Sequence, residues 1–367
     1  MRKISVVLGA IALGVGAWAL ASATGREANG IANTYEVNDS HFHLTNYVQE
    51  GTDIHDFLKI MGTKVGRVAL FGIPLQQQWS YGDTGDFAPT YYLQSDSPLY
   101  YYSFTDAFIA NAYKSLSPAD RARFDPMITG FNPTDMYAAD HIRRVLTTYP
   151  GVFEGIGEFT IHKEFVAAKI AGEKASLTNR ALDRLLDFAG EVGLVALMHN
   201  DIDAPFPKPG HEPYQIEQLR ALFLRHQKTR IIWAHIGLGR VVRPVTDQIA
   251  MIDRALSDPA LNNVCVDISW TETAKYIVST PETIAATADV INRHPERFLF
   301  GTDEVAPKDQ NGYLAIYQMY EPLFAKLTPT ASEQLRKGNY VRLFDEARHK
   351  VRAWEQAHVT NVTEGTR

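Results

Sequence analysis

Eight short apolar runs recur along this chain, and amphipathic stretches separate them. The runs are Tyr35–His43, Arg67–Ile73, Asp125–Gly130, Phe153–Glu158, Leu194–His199, Arg230–His235, Val264–Ser269 and Phe298–Asp303. Runs of that length, apolar on both faces, read as strands buried in a parallel sheet. The stretches between them read as helices. Thr134–Tyr149 opens behind Asn132 and Pro133, a cap and a first-turn proline. Leu177–Val192 sets Leu182, Leu185, Leu186 and Ala189 on one face, and Tyr214–His226 does the same with Ile216, Leu219, Leu222 and Phe223. Val245–Leu256 and Glu282–His294 repeat the pattern. Strands alternating with helices pair in parallel through right-handed crossovers. Eight such units predict a closed (β/α)8 TIM barrel. The competing fold, a doubly wound open sheet, wants a glycine-rich phosphate loop after its first strand. None stands there.

The 367 residues hold one barrel with additions rather than two domains. Arg2 and Lys3 precede an uncharged run from Ile4 to Leu20, and Ala19-Leu20-Ala21 and Ala21-Ser22-Ala23 follow. A basic start, an apolar core and small-residue sites read as a signal peptide over 1–23, which predicts a periplasmic or secreted protein. An uncleaved membrane anchor is the alternative. A polar linker over 24–33 leads into the barrel domain, 34–367. After the second strand, Gln76–Leu116 is an aromatic-rich insertion with Trp79, Tyr91, Tyr92, Tyr100, Tyr101 and Tyr102, read as a lid or substrate wall, or as surface packing or a subunit contact. Tyr340–Ala357 reads as a C-terminal helical tail. Cys265 has no partner in the chain, so no disulfide framework exists; its place inside the seventh strand reads as packing.

Polar residues fall at the ends of these strands. Asp39, His41 and His43 alternate, so they share one face of the first strand. Glu158, His199, His235 and Asp303 close the fourth, fifth, sixth and eighth. Barrel active sites are built at these ends. One strand-end histidine is commonly a satisfied polar residue. Six ligand-type residues on five strands of one barrel predict a metal site, because imidazole and carboxylate are the usual ligands of divalent ions.

With Asp39-Ser-His41-Phe-His43, Gly157-Glu158, His199-Asn200, Ala234-His235 and Gly301-Thr302-Asp303 in that order, the sequence resembles the amidohydrolase superfamily, in particular its amidohydrolase-related branch. The resemblance covers nearly all of the chain after the signal segment. Many members carry a carboxylated lysine at the fourth strand; here Glu158 takes that place, and Lys163 lies beyond the strand end. The resemblance implies two metal ions. His41, His43 and Asp303 would hold the more buried one, His199 and His235 the more exposed one, and Glu158 would bridge them. A metal-activated hydroxide would then attack an ester, lactone or amide, with Asp303 carrying the proton. Zinc, as two Zn2+, suits the mixed nitrogen and oxygen ligands, with Mn2+, Ni2+ or Co2+ as alternatives. Two further readings stand beside this one: a one-metal decarboxylase with His235 in acid–base catalysis, and a non-catalytic metal-dependent binding protein.

Other residues stand one step out. Asp39 is a candidate to orient a ligand histidine. His162, Asp267 and Trp270 are candidates to line the substrate pocket, and Arg240 to hold an anionic substrate group; solvation, packing or a surface ion pair are the alternatives. A net charge of -6 without a basic stripe predicts a small-molecule partner and no nucleic acid. Membrane contact is expected only through an uncleaved N-terminus, and the oligomeric state is open.

Overall fold

The computed structural model describes residues 35–45, 51–73, 104–163, 175–206, 208, 210, 213–244 and 248–359. The expected signal peptide, the linker and residues 76–103 of the aromatic insertion lie outside these residues.

All eight apolar runs form strands, and every pairing is parallel. In chain order they are β1 Val37–His43, β2 Val65–Phe71, β3 Phe124–Ile128, β4 Gly155–His162, β5 Val195–Asn200, β6 Arg230–Trp233 and β7 Val264–Asp267. The eighth position is one strand broken in two, β8 Phe298–Leu299 and β9 Glu304–Val305. β8 pairs with β7, and β9 pairs with β1. Between the two pieces, Ser40 N–H donates to Phe300 O (3.1 Å) and Asp303 N–H to His41 O (2.7 Å). These bonds carry the ladder from β7 round to β1 and close the TIM barrel. The break needs Gly301, because a Cβ there would lie 2.6 Å from the Cβ of His41.

Around the strands run α1 Ile54–Met61, α2 Thr105–Ser115, α3 Pro118–Arg121, α4 Ala138–Thr148, α5 Arg180–Val192, α6 Ile216–Arg225 and α7 Gln248–Ser257. They continue with α8 Thr271–Ile277, α9 Pro281–Arg293, α10 Gln310–Phe324, α11 Pro329–Glu333 and α12 Asn339–Val359. Local chemistry sets several boundaries. Asn179 accepts from Ala181 N–H at the start of α5, and Gly193, at φ +88°, ends it. α2 occupies part of the stretch expected as an insertion loop, and its buried Asp106 accepts from the N–H groups of Thr129 and Gly130 at the end of β3. α4 starts at Ala138 rather than near Thr134, because Asn132 Oδ1 holds Thr134 N–H in a turn of its own. Among the described residues no helix is long and apolar enough to cross a membrane.

Strand alternation divides the core. Val68, Leu70, Met198, Ile231 and Trp233 face outward to the helices. Ala69, Phe71, Met127, Val195, Leu197, Ile232, Cys265 and Leu299 face inward and meet Tyr340, Leu343, Phe344 and Ala347 of α12. The C-terminal helix therefore closes the end of the barrel where the strands begin. Charge fastens it there. Asp125, buried at the start of β3, accepts from Arg67 (2.7 and 3.0 Å), from Arg348 (2.5 Å) and from the Tyr340 hydroxyl (2.6 Å). Arg352 reaches Glu154 at the start of β4 (2.9 Å). With this end plugged, the opposite end is left for chemistry. Phe344 is fully buried, so Phe344→Ala should cost about 3–5 kcal/mol of unfolding free energy in a urea titration, with the metal-binding isotherm unchanged.

Candidate metal centre

β1 delivers two imidazoles to one face at the open end. His41 Nε2 and His43 Nε2 both point at Asp303 Oδ1, at 3.2 and 3.0 Å, and both face Glu158 Oε2, at 3.7 and 3.5 Å. Asp303 reaches them from the break between β8 and β9, where its φ is +53°. Glu158 lies within β4, not at its end. The pairing of β4 with β5 slips between Ile156 and Phe159, a bulge that re-aims the side chain there. Gly157 makes the bulge possible, with φ +114° and no room for a Cβ against Leu197 O.

His199 and His235 complete the group. His199 Nδ1 lies 2.6 Å from Glu158 Oε1. His235 Nε2 lies 3.7 Å from Glu158 Oε1 and 3.9 Å from Asp303 Oδ2. β6 stops at Trp233, one residue before the turn Ala234–Gly237 that carries His235. His235 and Ile236 there adopt φ +57° and +48°. That strained turn, rather than a continued strand, aims the ring.

Each imidazole is fixed from behind. His41 Nδ1 is held by Asp267 Oδ2 (3.0 Å), His43 Nδ1 by Gly72 O (2.7 Å), His235 Nδ1 by the Ser269 hydroxyl (2.8 Å) and His199 Nε2 by Asp201 Oδ1 (3.0 Å). The other nitrogen of each ring faces the Glu158–Asp303 centre. Metal-binding histidines are oriented this way, with one nitrogen tied to an acceptor and the other left for the ion.

The residues present fit a divalent metal. His41 Nε2, His235 Nε2 and Glu158 Oε2 are buried with no hydrogen-bond partner. Unpartnered buried polar atoms are costly unless something else satisfies them. Ligand atoms of His41, His43, Glu158 and Asp303 lie within 4.8 Å of one another, as do those of Glu158, His199 and His235. Glu158 belongs to both groups. Burial alone would raise the Asp303 carboxyl, but the charge on His41 and the hydrogen bond from His43 hold it well below the usual carboxylate range. Glu158 behaves alike: burial opposes ionisation, and Lys163 and His199 outweigh it. Burial would lower His41, yet Asp303 and Asp267 push it well above an ordinary imidazole. His235 is lowered, chiefly by burial.

The outer candidates separate. Asp267 is fully buried behind His41 and also accepts from His235 N–H (2.8 Å), so it backs the histidines rather than facing the opening. Asp39 takes the His41 N–H, not its ring, and also binds Thr302 and the Tyr313 hydroxyl. It clamps β1 to the broken eighth strand. Trp270 sits at the mouth with its ring 5.0 Å from that of His235. Arg240 lies over the same indole at 5.6 Å, with its Nε 3.8 Å from Glu272. His162 ends β4, half-buried, beside Asn200. Three residues of the site carried no sequence reading as site members: Lys163, Asp201 and Ser269. Lys163 Nζ lies 3.6 Å from Glu158 and 5.3 Å from the Trp270 ring. Asp201 stands two after His199, and Ser269 two after Asp267. Same-face spacing was the signal that could have found Asp201 and Ser269; Lys163, five residues past Glu158, carried none.

A family model described as Amidohydrolase matches residues 39–345. No curated protein matches. Among solved structures, a putative 2-pyrone-4,6-dicarboxylic acid hydrolase from Pseudomonas putida is 15% identical, covering 85% of this chain and 98% of its own, with a TM-score of 0.50. An uncharacterised TIM-barrel protein from Bordetella bronchiseptica is 14% identical over 85% and 99%, with a TM-score of 0.51. A 2,6-dihydroxybenzoate decarboxylase is 12% identical over 85% and 99%, with a TM-score of 0.49. At such identities the likeness is one of fold.

Imidazoles must be neutral to ligate, and Asp303 and Asp267 raise His41 well above an ordinary imidazole. Zinc uptake should therefore release about one proton or more, read by calorimetry in buffers of different ionisation enthalpy. Because His41 is raised, the proton competes more strongly as pH falls, and zinc affinity should drop between pH 7 and pH 6. An affinity flat across that interval would contradict this account.

Proposed function

The chain belongs to the amidohydrolase family, and from that premise we propose that it is a metal-dependent hydrolase of a small organic ester, lactone or amide. The observation that carries the reading is the convergence of four backed imidazoles and two carboxylates on one buried point. His41, His43 and Asp303 would hold one divalent ion, His199 and His235 a second, with Glu158 between them. Zinc is the expected metal on ligand chemistry. When bound, such ions supply a nucleophile from water at neutral pH and draw electrons from the substrate's carbonyl.

The chain's own residues supply the rest. Asp303 is held ionised, so it is an acceptor at neutral pH. Its carboxylate would take the proton of the attacking water and return it to the leaving group. Asp267, Asp201 and Ser269 keep the rings from turning. Trp270 offers an apolar wall beside His235, and Arg240 and His162 are assigned to the substrate's polar groups. The net charge of -6 favours a small-molecule substrate over nucleic acid. On the pattern of residues 1–23, the site works outside the cytoplasm.

Hydrolysis and decarboxylation differ in where oxygen comes from. With the metal-loaded protein and a panel of esters, lactones and amides in 18O-labelled water, the label should enter the product acid. Release of carbon dioxide without label in the product would support the decarboxylase reading. Asp303→Asn should lower kcat about 10²–10⁴-fold, in a preparation whose metal content is matched to the parent.

A further inference from the structure

The outer wall of the barrel holds a cavity on the helix side of the sheet. It lies between α6 and α7, over β6 and β7, and encloses about 350 Å3. That volume falls at the lower end of the ~300–1,000 Å3 of small-molecule sites. Its floor is apolar: Phe223, Trp233, Met251, Ile252 and Val266. Its rim is charged, with Arg220, Arg254 and Arg297 set against Glu217 and Asp258. Two of the guanidiniums are engaged. Arg297 donates to the carbonyls of Val264, Leu256 and Leu261, and Arg220 donates to Asp258 at 2.8 Å. Arg254, exposed on α7, has no carboxylate partner among the described residues. An apolar floor beneath an unengaged guanidinium suits an amphipathic anion.

The two walls of this cavity also hold the turn that carries His235. The Trp233 ring lies against Gly237 so closely that a Cβ there would come within 2.4 Å of it. Its Nε1–H donates to Asn200 O (2.9 Å), next to His199. On the other side Gln248, the first residue of α7, donates to Ile236 O within the turn (2.8 Å).

We propose that this cavity binds a medium-chain monocarboxylate, its chain on the apolar floor and its headgroup on Arg254, in contact with the wall that supports the His235 turn. The site is independent of what the mouth hydrolyses, and its test needs no turnover. Octanoate is titrated calorimetrically into the full chain, with octylamine and octanol as headgroup controls. Saturable binding of octanoate is expected, at least tenfold tighter than either control. Arg254→Glu should weaken octanoate at least tenfold without moving the thermal midpoint. Met251→Trp should fill the cavity and abolish the heat, with zinc binding retained. Octanoate should also shift tryptophan fluorescence along the same isotherm, and Trp233→Phe should remove that shift. If Met251→Trp fails to fold, Arg254→Glu decides alone. Absence of saturable binding, binding unchanged by Arg254→Glu, or octylamine or octanol binding as tightly as octanoate would each overturn the proposal.

Discussion

Four imidazoles and two carboxylates meet at one water-poor point, and that arrangement is unstable unless positive charge balances it. Buried carboxylates without partners would protonate, and buried imidazoles without partners would lose their protons. Here Asp303 and Glu158 stay ionised because His41, His43, His199 and Lys163 surround them. Asp303 and Asp267 raise His41 well above an ordinary imidazole, so without a metal they favour its protonated form. A divalent cation meets the same electrostatic need with more charge and reaches the unpartnered atoms of His41, His235 and Glu158. Proton and metal are thus rival occupants of one field. That rivalry is why metal affinity here is tied to pH.

The backbone bends to serve this point. Left-handed φ values away from glycine fall at His235, Ile236, Trp270, Asp303 and Ala306, all at the mouth, with Phe206 on the neighbouring loop. Such conformations persist only where the surroundings over-determine them. The surroundings are visible. Asp39 ties Thr302 and Tyr313 to β1, Asp267 catches His235 N–H, and Gln248 catches Ile236 O. The eighth strand breaks because a straight one would keep Asp303 in the ladder rather than aim it at His41 and His43.

This division explains what was legible in the sequence. The eight strands were legible because burial on both faces demands continuous apolar runs, and the chain shows them at Leu194–Leu197 and Arg230–Trp233. The six clustered side chains were legible because polar residues at the ends of such runs have few other uses. Strand breaks and bulges were not, since they arise from ring closure, a constraint between residues far apart in sequence. Glu158 looked like a strand end because its polarity interrupts the apolar pattern; β4 in fact runs on to His162. Asp39 read as the carboxylate that orients a ligand histidine and Asp267 as a pocket residue, yet it is Asp267 that holds the His41 ring. Which one reaches a ring depends on the stagger of β7 against β1 across the barrel. Lys163 was set aside as too far along the chain, yet the bulge in β4 brings it to Glu158.

The two ends of the barrel carry opposite burdens. At the mouth, polar groups are buried in mutual contact and the backbone is strained, so that end costs stability. At the other end, Tyr340, Leu343, Phe344 and Ala347 fill the interior, and Arg67, Arg348 and Arg352 lock α12 onto Asp125 and Glu154. Parallel strands run between the two ends without interruption except at the eighth position. Stabilisation gained under the strands can therefore support strain above them, while side chains at the mouth change chemistry without reaching the plug. A chain with one cysteine has no internal disulfide to supply that support. The C-terminal helix supplies it through packing and charge instead.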